Sequence, residues 1–316
     1  MPRSGKNIDF SAVGTDNPTW TVPNEGYNNI IYGSLTLDSG MTVAGSNGRV
    51  FQGRGAFTLT NAGVTYARAI TVQMVGGTLT LLDAYDSAST IIFSNGTFDA
   101  NDFNVTGSGI SISGSATKVV TMGSGTWTAT SVSTAWGWST SGTTLNEETS
   151  TIVISNTTAT AKTFAGAGET YNNLTITGDN VTITGNNTFN VMALNNPDLT
   201  TGVIIGTGST QTITNLTTTA AATDVVVLSG VAGGGTETLT SSTSQICVDY
   251  LTITNLTAAG TAAWYAGANS TDGTGNGGWL FEACPSGDPN SASRQSGVPN
   301  EKVRGGFKVR GGVKFR

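Results

Sequence analysis

The sequence predicts an all-β chain, wound as an elongated right-handed parallel β-helix or similar solenoid, with an antiparallel β-sandwich pair as the alternative. Three observations lead there. The 316 residues include 55 Thr and 43 Gly but only 11% charged side chains, against roughly 25% in an ordinary soluble domain. Stretches of 10 to 15 residues with helical periodicity and strong helix formers are missing, whereas Thr, Val, Ile and aromatics favour a pleated surface. The apolar runs are short and bounded by Gly, Asn, Asp or Ser, the punctuation of strands and turns.

The elements follow in chain order. Residues 1–24 read as an N-terminal arm. A first β-repeat region, 25–165, holds FTLTNAGVTY, GTLTLLD, STIIFSNGTF, FNVTGSGISISG and STIVISNTT. A second, 166–284, holds LTIT at Leu174–Thr177, where alternation points Leu174 and Ile176 inward and both Thr outward, followed by DVVVLSG and a second TITNLT. Self-similarity supports stacking: ExYNN occurs at Glu25 and Glu169, and TITNLT at Thr212 and Thr252. Stacked supersecondary units leave such copies behind. Short strands spaced too tightly for intervening helices favour coils that bury Val, Ile and Leu and display Thr.

Residues 285–316 differ from the rest. PSGDPNSASRQSGVPNE has the composition of a flexible connector, and KVRGGFKVRGGVKFR repeats a cationic hexad. Residues 301–316 carry a net +5 and residues 1–300 a net −11. That asymmetry marks an interaction tail. In an extended tail Lys302, Arg304, Lys308, Arg310, Lys314 and Arg316 face an acidic partner, with Phe307 and Phe315 packing behind. The tail is expected to dock by strand addition on another subunit or a partner protein. Nucleic acid is disfavoured, because the acidic body repels phosphate.

Chemistry is sparse. The chain has no histidine, which removes the commonest general base and transition-metal ligand. Asp83 with Asp86, and Asp99 with Asp102, are the carboxylate pairs open to glycosidase-type chemistry, but aspartates three apart in loops read as turn residues. Asn269, Asp272 and Asn276 are the candidate Ca²⁺ ligands, and DGTGNGG at Asp272 reads as a tight loop. The TxT motifs at Thr58, Thr78, Thr175, Thr182, Thr212 and Thr252 recur too irregularly for an ice-binding rank. Trp127, Trp136, Trp138, Trp264 and Trp279 read as core or subunit-contact residues ahead of sugar platforms. Asn95, Asn173, Asn215 and Asn255 begin NxT triplets that a Thr- and Asn-rich chain produces by chance. Cys247 and Cys284 read as free thiols of a reducing compartment. No cofactor or metal is expected. No apolar run has the length of a secretory signal or a membrane helix, so synthesis in a cytoplasm without general export is expected.

The segments GSGTWTATSVSTAWGWSTSGTTLNEETSTIVISNTTATAKTFAGAGETYNNLTITG (123–178) and CVDYLTITNLTAAGTAAWYAGANSTDGTGNGGWLF (247–281) resemble Thr-, Gly- and Asn-rich β-repeat proteins of tailed bacteriophages. From its first residue, 123, to its last, 281, the resemblance spans about half the chain and leaves the basic tail outside. It implies a non-enzymatic virion surface protein: a capsid decoration or cement protein, or a tail fibre or spike that adheres to the host. By analogy a homotrimer is expected, with other virion proteins and possible host glycans as partners. A polysaccharide-degrading tailspike, or less so an ice-binding solenoid, is the alternative function.

Overall fold

Alternating inward and outward side chains on short strands dictate the architecture seen in the computed structural model. The described residues are 6–13, 17–22, 29–45, 47–195, 201–233 and 237–285. They belong to one unit, Met1–Cys284, with Pro285 opening the second. Among them there are strands and no helix. Every strand pairing is parallel, and the chain winds as a β-solenoid of about 11 turns. Among the described residues the one antiparallel contact is an isolated bridge, Ala221 to Asp224, so the sandwich alternative falls away.

Each turn visits three faces. The first runs from Asn29–Ile31 through Arg49–Phe51, Ile91–Phe93 and Val181–Thr184 to Leu251–Thr254 and Thr271–Asp272. The second begins with Ile8–Asp9, Leu35–Thr36 and Ala56–Thr60 and reaches Lys118–Thr121 and Thr143–Asn146. The third includes Val105–Gly107, Thr126–Ala129 and Thr151–Ile154. Faces are joined in two ways. In the N-terminal half Ile70–Leu81 and Ile91–Asp99 continue from the first face into the second. Farther on, Thr170–Ile176, Thr188–Leu194 and Thr210–Thr218 continue from the second into the third.

Gly96 shows what the bend in such a continuous strand demands. Its φ is 83°, and a Cβ there would lie 2.0 Å from the Met74 carbonyl oxygen of the coil below. Only glycine satisfies both the backbone angle and the close approach.

Inward residues stack in register. Ile70, Ile91, Ile110, Trp136, Phe164, Ile183 and Ile205 form one column on the first face, all 0–1% exposed. Leu174 and Ile176 are buried as the alternation predicts. Across the middle coils an aromatic chain fills the interior. Trp127 meets Phe98 and Trp136 edge-on, Trp136 stacks on Phe164 and Trp138, and Tyr171 stacks on Phe189. Buried aromatics of this size carry a large share of the apolar stabilisation.

Coil length varies while the columns stay in phase. Corner hydrogen bonds join successive turns over 19 residues at Asn187–Gly168 and 26 at Asn156–Thr130. The two copies of TITNLT therefore do not superpose on the solenoid: Thr212 lies on the second face, paired with Thr188, and Thr252 on the first, paired with Val227.

Candidate functional site

The polar side chains best suited to chemistry are committed to corners. Asp83 accepts the Asn61 and Ala62 amides at 2.6 and 2.5 Å. Asp86 accepts the Thr65 hydroxyl at 2.6 Å, Asp99 the Asn101 amide at 2.9 Å and Asp102 the Ser124 amide at 2.7 Å. Each turn must satisfy backbone N–H groups that no strand pairs with; Asp83, Asp99 and Asp102 do so, whereas Asp86 takes a side-chain hydroxyl. The same device recurs with amides, Asn104 to Thr126 and Asn186 to Thr210. Asp83 and Asp102 are thus turn residues, whereas Asp86 and Asp99 close the strands Tyr85–Asp86 and Ile91–Asp99, so the loop reading is corrected for these two.

The candidate Ca²⁺ ligands are likewise occupied by one another and by backbone. Asn276 donates to Asp272 at 2.8 Å and accepts the Leu256 amide, while Asn269 donates to Asp249 through both its backbone and its side chain. Among the described residues no group of three or more His, Cys, Asp and Glu side chains is placed to hold a metal ion. The tryptophans lie inside: Trp127 and Trp136 are fully buried, and Trp264, Trp138 and Trp279 are 2, 7 and 8% exposed. Their ring faces are turned to other aromatics, not to solvent. The TxT threonines are spread over three faces, Thr58 and Thr78 on the second, Thr175 on the third and Thr182 on the first.

The free-thiol expectation is corrected. Cys247 and Cys284 form a disulfide, their Cα atoms 5.9 Å apart. Cys247 ends Gln245–Cys247, which pairs with Ala263–Tyr265, which in turn pairs with Trp279–Leu280 just before Cys284. The bridge therefore ties Cys247, at the end of one strand of this ladder, to the chain just beyond its last strand. Two thiols 37 residues apart give no signal of pairing in sequence; the winding of the coils brings them together. The docking residues Lys302, Arg304, Phe307, Lys308, Arg310, Lys314, Phe315 and Arg316 lie outside the described residues.

Three interior cations were not read from the sequence. Arg49, Lys118 and Lys162 are 1, 1 and 0% exposed. The Lys118 ammonium donates to the carbonyls of Gly114, Ala116 and Ser141 at 2.7, 2.9 and 3.0 Å. The Lys162 ammonium donates to those of Thr158, Thr160 and Asp179 at 2.5, 2.6 and 2.7 Å. Each holds the long corner that precedes its own strand. Desolvation lowers the pKa of both below the ordinary lysine value. The signal was the phase of alternation: Lys118 is in step with Val120, Lys162 with Phe164 and Arg49 with Phe51, so all three point inward.

Arg49 lies 4.9 Å over the Trp20 ring and 5.3 Å over that of Tyr66, a cation–π sandwich. Desolvation lowers its pKa too. Tyr66 packs against Tyr85; the Tyr66 hydroxyl has no hydrogen-bond partner among the described residues, the Tyr85 hydroxyl lies near Ser87, and burial raises the pKa of both. A shallow groove of about 320 Å³ lies over the corner formed by Val75, Asn95, Thr97, Thr117, Lys118 and Val119. Its lysine is turned into the corner carbonyls, so the groove offers no free cation. No protein-family model, curated protein or solved structure matches this chain.

Proposed function

We propose that the chain is a non-enzymatic structural and attachment protein of a tailed-phage virion surface, a decoration protein of the head or part of a tail fibre or spike. The phage context rests on the resemblance of 123–178 and 247–281. The mechanical reading is supported by one observation: Asp83, Asp86, Asp99 and Asp102, the carboxylate pairs open to glycan hydrolysis, are engaged in local hydrogen bonds, and the five tryptophans in core packing. What remains outside is a rigid, hydroxyl-rich surface, suited to contact over area. A bridged Cys247–Cys284 pair suits a working life outside a reducing cytoplasm. The basic segment 302–316 then serves as the docking strand toward another virion component.

The test is quantitative mass spectrometry on purified particles, with and without residues 302–316, beside a glycan-release assay on host envelope polysaccharide. The proposal expects the intact chain in particles, reduced incorporation of the truncated chain and no released sugar. Absence from particles, or catalytic sugar release, overturns it.

A further inference from the structure

We infer that the first face of the solenoid is a self-association surface, on which two copies pack sheet against sheet about a twofold axis. Ten successive parallel pairings join eleven strands on this face, from Asn29–Ile31 to Leu251–Thr254. Among the described residues no other face continues so far in one ladder. Across these eleven strands no described outward position carries a charge; the exposed Asp272 stands one coil beyond them, on Thr271–Asp272. Thr71, Ile92, Ser111, Thr163, Thr182 and Thr254 are typical of what the face presents, while its two cations, Arg49 and Lys162, point into the core. The second face, by contrast, shows Asp99 and the third Asp86.

Charge selects a second copy as the occupant. Residues 1–300 hold a net −11, so two bodies repel at long range, and a neutral strip is where they approach at least cost. An anionic or cationic partner would gain nothing from that strip. The dimensions also suffice. Eleven strands about 4.8 Å apart, each with about four residues of 3.3 Å, give a strip of roughly 600 Å² per copy. Two such strips bury about 1,200 Å², the lower bound for a specific pair. The small outward side chains allow two sheets to close to their usual separation of about 10 Å, with Thr hydroxyls pairing across the interface and Thr methyls filling it. A patch that meets its own copy gives an isologous, closed dimer.

The test is sedimentation equilibrium on the full chain, on a Thr163→Lys/Thr182→Lys variant and on a Thr106→Lys/Thr128→Lys variant. Thr163 and Thr182 are neighbours on adjacent coils of the first face; Thr106 and Thr128 stand in the same relation on the third. Circular dichroism verifies that each variant keeps its strands. The inference expects a wild-type dimer, a dissociation constant raised at least about a hundredfold by lysines on the first face, and a control variant that still dimerises. A wild-type monomer, a trimer, or first-face lysines that leave the assembly unchanged would overturn it.

Discussion

Alkaline pH should unfold this protein through three tyrosines. Tyr66, Tyr85 and Tyr171 are each about 1% exposed, and burial is the first cause raising the pKa of all three above 10. The folded chain thus keeps three protons that the unfolded chain releases. Their contribution is intact below about pH 10 and declines as pH rises past it toward the folded-state values. Each such proton gives a slope of about 1.4 kcal/mol per pH unit, so the three together remove about 4 kcal/mol per unit. Lys118 and Lys162 act in the opposite sense. Their pKa values are lowered, so the cost of keeping them charged is relieved as pH climbs toward 10.5, and above it they add nothing. A body stable by about 8 kcal/mol should therefore be lost near pH 12. Far-UV circular dichroism and tyrosinate absorbance, followed together from pH 8 to 12, should change in one step for these residues. Tyr85→Phe should flatten the slope by about a third. Tyr66→Phe, at a hydroxyl with no hydrogen-bond partner among the described residues, should add about 1 kcal/mol at neutral pH. Gradual ionisation of these tyrosines in an intact fold would refute the reasoning.

Lys162→Met leaves three carbonyl acceptors unpaired inside a corner and should cost about 3–5 kcal/mol by chemical denaturation, whereas Lys118→Met should cost a similar amount at its own corner. Reduction of Cys247–Cys284 opens a closed loop whose entropy is about 4 kcal/mol on the chain-entropy relation; because coils contact only their neighbours, the loss should appear as proteolytic nicking after residue 240, with the N-terminal coils still protected. Trp136→Ala removes the centre of the aromatic chain and should lower stability by about 3–5 kcal/mol, read as a fall in melting temperature.

What was legible in the sequence was the strand and its two sides. In LTIT the order of Leu174, Thr175, Ile176 and Thr177 already states which side chains enter the core, and Asp102 was readable as a turn residue beside Asn101. The coil was not legible. Its length shifts from corner to corner, so TITNLT recurs on different faces, and strands such as Ile70–Leu81 conceal a bend within one apolar run. A cation on the inward phase of a strand looks like a surface residue unless the neighbouring carbonyls are known, as at Lys118. Cys247 and Cys284 are joined by winding, which no local pattern encodes.

The inward lysines imply a rule for how such a body tolerates longer excursions. At Lys118 and at Lys162 the ammonium acts as a peg around which an outlying segment is tied. Enlarging the segment need not disturb the coils above and below, provided its carbonyls still reach the peg. Foreign peptides spliced into 157–159 ahead of Lys162 should therefore be displayed on a scaffold that keeps its shape, and the same splice in a Lys162→Met background should not.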